Sequence, residues 1–112
     1  MMTQPPVAHF QMLYMLPRLM QRECTVLNPL GLHARPAAEF VRKAMSFSCT
    51  IAIEKEGQRY SATSILEVLS ANLDCGATFT IHAEGTDAED AIEELCALLP
   101  KFKEREEAEG FM

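Results

Sequence analysis

The sequence predicts an α+β fold, a four-stranded antiparallel sheet with three helices on one face, in the order β-α-β-β-α-β-α. Three observations lead there. Cys49–Glu54 and Thr78–Glu84 alternate apolar and polar residues with the period of half-buried strands. From Ala34 onward and again from Ala88, apolar residues recur at the one-face spacing of a helix. Turn-forming residues, among them Pro29, Gly31, Glu56 and Gly57, separate these stretches. A sheet that alternates in this way keeps one face toward water and takes its helices on the other.

Taken in order, Arg22–Asn28 reads as the first strand. The helix that follows carries Ala37, Phe40, Val41 and Ala44 on one face, and Pro36 falls in its first turn, where a missing N–H costs nothing. Cys49, Ile51 and Ile53 alternate with Thr50, Ala52 and Glu54 in the second strand. Glu56 and Gly57 turn the chain, and Gln58–Ser61 returns as the third. A short helix runs from Ser64 to about Leu69, with Asn72 near its end, where Asn tolerates a left-handed conformation. In Thr78–Glu84 the residues Phe79, Ile81 and Ala83 share one face, while Thr78, Thr80 and His82 share the other. Thr86 and Glu89 form a capping box for the last helix, whose acidic first turn (Asp87, Glu89, Asp90) complements the helix dipole. Its buried stripe is Ala88, Ile92, Leu95, Cys96 and Leu99. Pro100 is expected to stop or kink it, leaving residues 101–112 as a charged, fraying tail. Periodicity leaves the strand order open.

With 112 residues the chain is long enough for one domain with its own core. Hydrophobic content of 48% and charged content of 23% are ordinary for a soluble globular protein, and the net charge of −6 argues against nucleic acid as a partner. Residues 1–20 stand apart as an N-terminal extension expected to be flexible. They hold Pro5, Pro6 and Pro17, lack a signal-peptide pattern, and are too broken by proline for a membrane span, which needs ~20 apolar residues. The apolar residues Phe10, Met12, Leu13, Tyr14 and Leu16 could instead make this segment a partner-binding or self-association arm. The folded domain is expected over residues 21–100.

The stretch with chemistry is Asn28–Ala38. It sets His33 at or just before a helix N-terminus, where free N–H groups and the dipole hold phosphate-sized anions. The same positive end disfavours an imidazolium, so a neutral, nucleophilic ring is expected there. Arg35 adds a permanent cation with several donors within reach of an oxyanion on that ring. A histidine that accepts a phosphoryl group and hands it on needs this positioning and charge stabilisation.

The run Gly31, Leu32, His33, Ala34, Arg35, Pro36, Ala37 resembles the active-site signature of HPr, the histidine phosphocarrier of the bacterial phosphoenolpyruvate:sugar phosphotransferase system (PTS). A second run, Ser64, Ile65, Leu66, Glu67, Val68, Leu69, resembles the regulatory-serine helix of that family, and the match extends from about Gln21 to Leu99. The resemblance implies an HPr-like open-faced β-sandwich. It also implies that His33 is the phosphoacceptor, taking the phosphoryl group from phosphorylated enzyme I and passing it to enzyme IIA components. Arg35 would then stabilise the phosphate, and Pro36 would start the helix. By the same resemblance Ser64 is a candidate for an HPr serine kinase/phosphorylase, and Ile65, Leu66 and Leu69 form a docking patch. Thr63 and Glu67 depart from that pattern, which often has a basic residue and a glycine there. Because family chains usually start close to the first strand, Met20 is expected as a start.

Each of these residues also has a plainer account. Ser64 and Glu67 make a capping box that explains a serine without regulation. His9 and His82 have no neighbours in sequence that suggest catalysis. Cys24, Cys49, Cys75 and Cys96 show neither C-x-x-C nor metal-ligand spacing, so no metal or cofactor is expected, and a reduced, cytoplasmic protein follows. The acidic residues Asp87, Glu89, Asp90, Glu93 and Glu94 read as a solvated helix start. The expected protein is therefore a monomeric phosphoryl carrier, itself no enzyme, that docks briefly on its partners without entering a membrane. The alternatives are a regulatory interaction protein in which phosphorylated Ser64 or His33 binds a kinase or regulator without sugar transport, and a small binding module in which the motif is accidental.

Overall fold

The structure is a computed structural model that describes residues 18–110. Its elements are β1 (Arg18–Thr25), α1 (Ala34–Met45), β2 (Thr50–Lys55), β3 (Gln58–Ser61), α2 (Ile65–Ser70), β4 (Thr78–Gly85) and α3 (Ala88–Ala108). The element order is the one the sequence predicts. The four strands form one antiparallel sheet in the order β1-β4-β2-β3, so β4 lies between the first two strands of the chain.

Alternation decides which sheet face is covered. Cys24, Ile51, Ile53, Phe79, Ile81 and Ala83 point to the helices and are buried. Against them pack Ala37, Phe40, Val41 and Ala44 of α1 and Ala91, Ile92, Leu95, Leu98 and Leu99 of α3. Phe40 meets Phe79 edge to face, with centroids 6.4 Å apart. The hairpin between β2 and β3 closes on two residues of positive φ, Glu56 (53°) and Gly57 (81°), the geometry that matches strand twist in a two-residue loop. Asn72, at φ 54°, turns the chain out of α2 as its residue type suggests.

On the open face His82 is more enclosed than its alternation implies. Its Nε2 lies 2.7 Å from Glu54 Oε1. His9 and the apolar residues Phe10 to Leu16 lie outside the described residues. Among the described residues no helix is long and apolar enough to cross a membrane.

Four sequence expectations need correction. The first strand is Arg18–Thr25 rather than Arg22–Asn28, because it pairs along its whole length with β4, from Arg18 opposite Gly85 to Thr25 opposite Thr78. Arg18–Met20 therefore belong to the sheet and not to an extension ending at residue 20. The start of α3 is not a capping box: Asp87 is its N-cap and makes no capping bond to its own helix. The Asp87 carboxylate instead accepts from Ser48 N–H, Ser48 Oγ–H and Cys49 N–H at 2.9–3.1 Å, bonds that outweigh desolvation and hold its carboxyl below the usual range.

The largest correction concerns residues 101–112, expected as a fraying tail after Pro100. The helix runs through Pro100 to Ala108. A proline inside a helix removes one N–H bond and crowds the preceding turn, a cost of about 3 kcal/mol. Beyond it Phe102 is 1% exposed, and burial of this aromatic offsets that cost, while Glu106, 5% exposed, is enclosed with its oxygens hydrogen-bonded. Arg105 further ties the helix to α1 through both oxygens of Glu39, at 2.7 and 3.4 Å.

The cysteines are free. Cys24 and Cys49 are buried, Cys96 is half-buried and Cys75 is exposed, and Cys24 Sγ lies 3.0 Å from Cys96 Sγ. The hydrogen bond between them, aided by Arg22 and opposed by burial, lowers the Cys96 thiol below its ordinary value, while the same contact and burial push Cys24 up.

Replacing Phe102 by Ala tests whether the turns after Pro100 belong to the folded domain. Loss of a buried aromatic there should lower unfolding stability by about 3–5 kcal/mol in urea denaturation. A fraying tail would leave the midpoint unchanged.

Candidate functional site

The site is built around the loop from Asn28 to His33. Asn28 is fully buried, and its Nδ2 donates to Gly31 O (2.7 Å) and to Glu106 Oε2 (2.7 Å). Gly31 takes φ +70°, and a Cβ there would stand 2.7 Å from Leu73 O. Only glycine meets both conditions. Leu73 O in turn accepts the Leu32 N–H at 2.8 Å, so the loop is pinned to the segment after α2.

His33 is the N-cap of α1, with extended backbone (φ −73°, ψ −173°), as its place in the sequence predicts. The first helical bond runs from Ala37 N–H to His33 O at 2.9 Å. Pro36 has no N–H, which leaves those of Ala34 and Arg35 at the helix start without helical acceptors. The His33 ring makes no capping bond to these groups. Its Nε2 instead lies 3.1 Å from Glu106 Oε2, and its side chain is 39% exposed.

Glu106 was invisible to sequence reasoning. Its carboxylate accepts from three directions: Leu30 N–H on Oε1 (3.0 Å), and Asn28 Nδ2 (2.7 Å) and His33 Nε2 (3.1 Å) on Oε2. Burial favours the neutral acid, but the bonds from Leu30, Asn28 and His33 outweigh it and hold the carboxyl below its ordinary value. The one available signal was the spacing of Leu95, Leu99, Phe102 and Glu106, which continues the buried stripe of α3 past Pro100 onto an acidic residue.

His33 and Arg35 line one shallow pocket of ≈ 160 Å³ with Pro36, Leu30 and Phe102, and Glu106 of α3 and its C-cap Glu109 close it. Arg35 is exposed, and its Nη1 donates to Glu109 Oε2 at 3.2 Å, across to the last turn. His33, Arg35 and Pro36 are thus brought together as the motif predicts, with α3 as an unforeseen wall.

Ser64, Ile65, Leu66 and Leu69 lie apart from this pocket on α2, a helix that packs beside α1. Ser64 is the N-cap, and its Oγ accepts the Glu67 N–H at 3.2 Å. The return arm of the expected capping box goes elsewhere: Glu67 Oε1 accepts from Ser61 N–H at 2.7 Å. Leu66 is 77% exposed and Ile65 37% exposed, whereas Leu69 is partly buried against the core. Among the described residues no group of three His, Cys, Asp or Glu side chains could hold a metal ion.

Comparison with known proteins places this geometry. The family model "PTS HPr component phosphorylation site" matches residues 20–101. The chain is 41% identical over 81 residues to the phosphocarrier protein HPr of Lysinibacillus sphaericus, covering 72% of this chain and 92% of that protein. It is 39% identical over 83 residues to the HPr-like protein Crh of Halalkalibacterium halodurans, covering 74% and 99%. A crystal structure of a phosphocarrier protein HPr from Bacillus anthracis matches with a TM-score of 0.70 and 42% identity, covering 72% of this chain and 96% of that one.

Two variants check the construction of the site. Gly31→Ala meets both positive φ and the Leu73 carbonyl, and should cost at least about 1–3 kcal/mol of stability by urea denaturation. For Glu106 the sign follows from its lowered folded pKa: its stabilisation is complete above the ordinary value of 4.5 and is lost as pH falls through the folded value. Glu106→Gln should therefore be less stable than the parent at neutral pH, by about 1–3 kcal/mol, with the gap narrowing in acid.

Proposed function

This chain belongs to the PTS HPr family of phosphocarrier proteins, and we propose that it carries a phosphoryl group on His33, taken from phosphorylated enzyme I and passed to enzyme IIA components. The observation that carries this reading is the position of His33 at the open start of α1, its Nε2 engaged by Glu106 and its other ring nitrogen free of any capping bond. Transfer between phosphorus and nitrogen requires a lone pair, a site for the anion and access for partners. The ring is more than a third exposed, and unpartnered helical N–H groups and Arg35 stand beside it.

Arg35 has the reach to contact a phosphoryl group, at the cost of its exposed pair with Glu109, a pair worth little in water. Pro36 sets the helix start. The exposed Ile65 and Leu66 offer apolar area to partners that dock briefly, with Leu69 supporting them from the core. In this role the protein is a cytoplasmic monomer that acts within a relay and does not itself turn over a substrate.

A second reading is favoured by the likeness to an HPr-like protein Crh and by Ser64 at an accessible helix start. In it, a serine kinase adds a phosphate to Ser64 Oγ. The new charge would stand beside Glu67 and the apolar docking patch, and would change which partners bind.

Incubation with phosphoenolpyruvate, magnesium and a bacterial enzyme I separates the two. Intact mass should show one acid-labile phosphoryl group on the parent and on Ser64→Ala, and none on His33→Ala. Label retained by His33→Ala would overturn the assignment. Arg35→Ala should take up the label more slowly, and unchanged kinetics would make Arg35 a surface charge only. Labelling by a serine kinase and ATP that is lost in Ser64→Ala would support the regulatory reading.

A further inference from the structure

We propose that Glu106 is a positioning residue for His33: through one carboxylate oxygen it keeps the ring proton on Nε2 while phosphoryl transfer proceeds at Nδ1. The inference deepens the carrier reading and rests on it. Glu106 lies beyond residues 20–101, the span matched by the family model, so its role is read from the geometry of this chain.

The geometry begins with the carboxylate. An ionised carboxylate only accepts hydrogen bonds, and Glu106 already takes Leu30 N–H and Asn28 Nδ2–H. At 3.1 Å from Oε2, His33 Nε2 therefore carries its proton, since a lone pair aimed at that oxygen would be repelled. The ring lone pair is left on Nδ1. Among the described charged groups that line the pocket, Arg35 is paired with Glu109 and Arg105 with Glu39. Glu106 alone of them contacts the imidazole.

The consequence lies in the leaving group. When phosphoryl arrives, the Nδ1 lone pair forms the N–P bond, the bond from phosphorus to the donor breaks, and that electron pair stays with the donor. When phosphoryl departs, the N–P electron pair returns to Nδ1. If Nε2 keeps its proton, the group expelled is a neutral imidazole. If that proton has gone to solvent, the group expelled is an imidazolate, a far poorer leaving group. A buried carboxylate holding the proton keeps the phosphoryl group transferable, and no proton moves in either direction.

The placement is maintained from outside the loop. Burial of Phe102 and the Arg105–Glu39 pair fix the last turns of α3, so Glu106 meets the ring from a rigid helix.

Two readouts test the assignment. On unphosphorylated protein, nitrogen-15 NMR should show a protected His33 Nε2–H in the parent. This signal should be lost to solvent exchange in Glu106→Ala and retained in Glu106→Gln, whose amide oxygen can still accept. On phosphorylated protein, back-transfer to enzyme I and pyruvate should be slowed about tenfold in Glu106→Ala at mildly alkaline pH. The two proteins should match in mild acid, where solvent supplies the proton. Loss of a merely structural contact would slow transfer equally at both pH values, and that result would overturn the proposal. So would an Nε2–H equally protected in the parent and Glu106→Ala. Thermal melting of each variant confirms that the folded state is being read. If the parent accepts no phosphoryl group, the carrier reading fails, and the Nε2–H signal still decides whether Glu106 holds the ring.

Discussion

The Glu106 carboxylate joins two pieces of chain that are far apart in sequence, the end of the last helix and the loop before the first. It stands near the end of the last helix, yet its hydrogen bonds go to Asn28, Leu30 and His33. A charge in so enclosed a place is tolerated only when its oxygens are satisfied, and here each is. The loop gains as much as the carboxylate does. Asn28 is fully buried with both of its donor bonds used, one within the loop at Gly31 and one to Glu106. Removing the carboxylate would leave a buried amide and a backbone N–H short of acceptors, which is why the end of α3 and the start of α1 hold together.

The rest of the fold brings those pieces within reach. Pairing of β4 with both β1 and β2 sets a platform on which α1 and α3 pack side by side. Their alignment lets Lys43 meet Glu94, Glu39 meet Arg105 and Arg35 meet Glu109 along the seam. The more exposed Lys43–Glu94 and Arg35–Glu109 pairs add little. Phe102 contributes the larger share through apolar burial and carries the helix beyond Pro100 to the His33 loop. On the other side, the close approach of Gly31 to Leu73 ties that loop to the chain leaving α2.

A carrier must hold its phosphoryl group in the open and release it readily, and the arrangement at His33 meets both demands in the proposed relay. The ring sits at a helix start, in a shallow pocket and not in an enclosed cavity, so a partner can reach it. Glu106 engages Nε2 and leaves the ring 39% exposed. Arg35 is held only by an exposed pair with Glu109, which leaves it available for the proposed phosphate contact. The likeness to both HPr and an HPr-like Crh protein fits a chain whose two proposed phosphoacceptors, His33 and Ser64, lie at different helix starts.

Local pattern determined much of this in advance. Alternation in Cys49–Glu54 and Thr78–Glu84, the one-face spacing of Ala37, Phe40, Val41 and Ala44, and the turns at Gly31, Glu56–Gly57 and Asn72 are short-range properties, fixed by side-chain periodicity and backbone sterics. The motif around His33 likewise placed the histidine, Arg35 and Pro36 at one helix start. Tertiary packing decided what local rules could not see. Strand pairing with β4 moved the first strand to Arg18, because a ladder is closed by its partner and not by its own residues. Asp87 spent its carboxylate on Ser48 and Cys49 instead of capping its helix. Burial of Phe102 outweighed the local penalty of Pro100 and so delivered Glu106 to His33. A residue 73 positions away in sequence becomes a neighbour of the histidine only when a whole helix docks, and no periodicity along the chain encodes that contact.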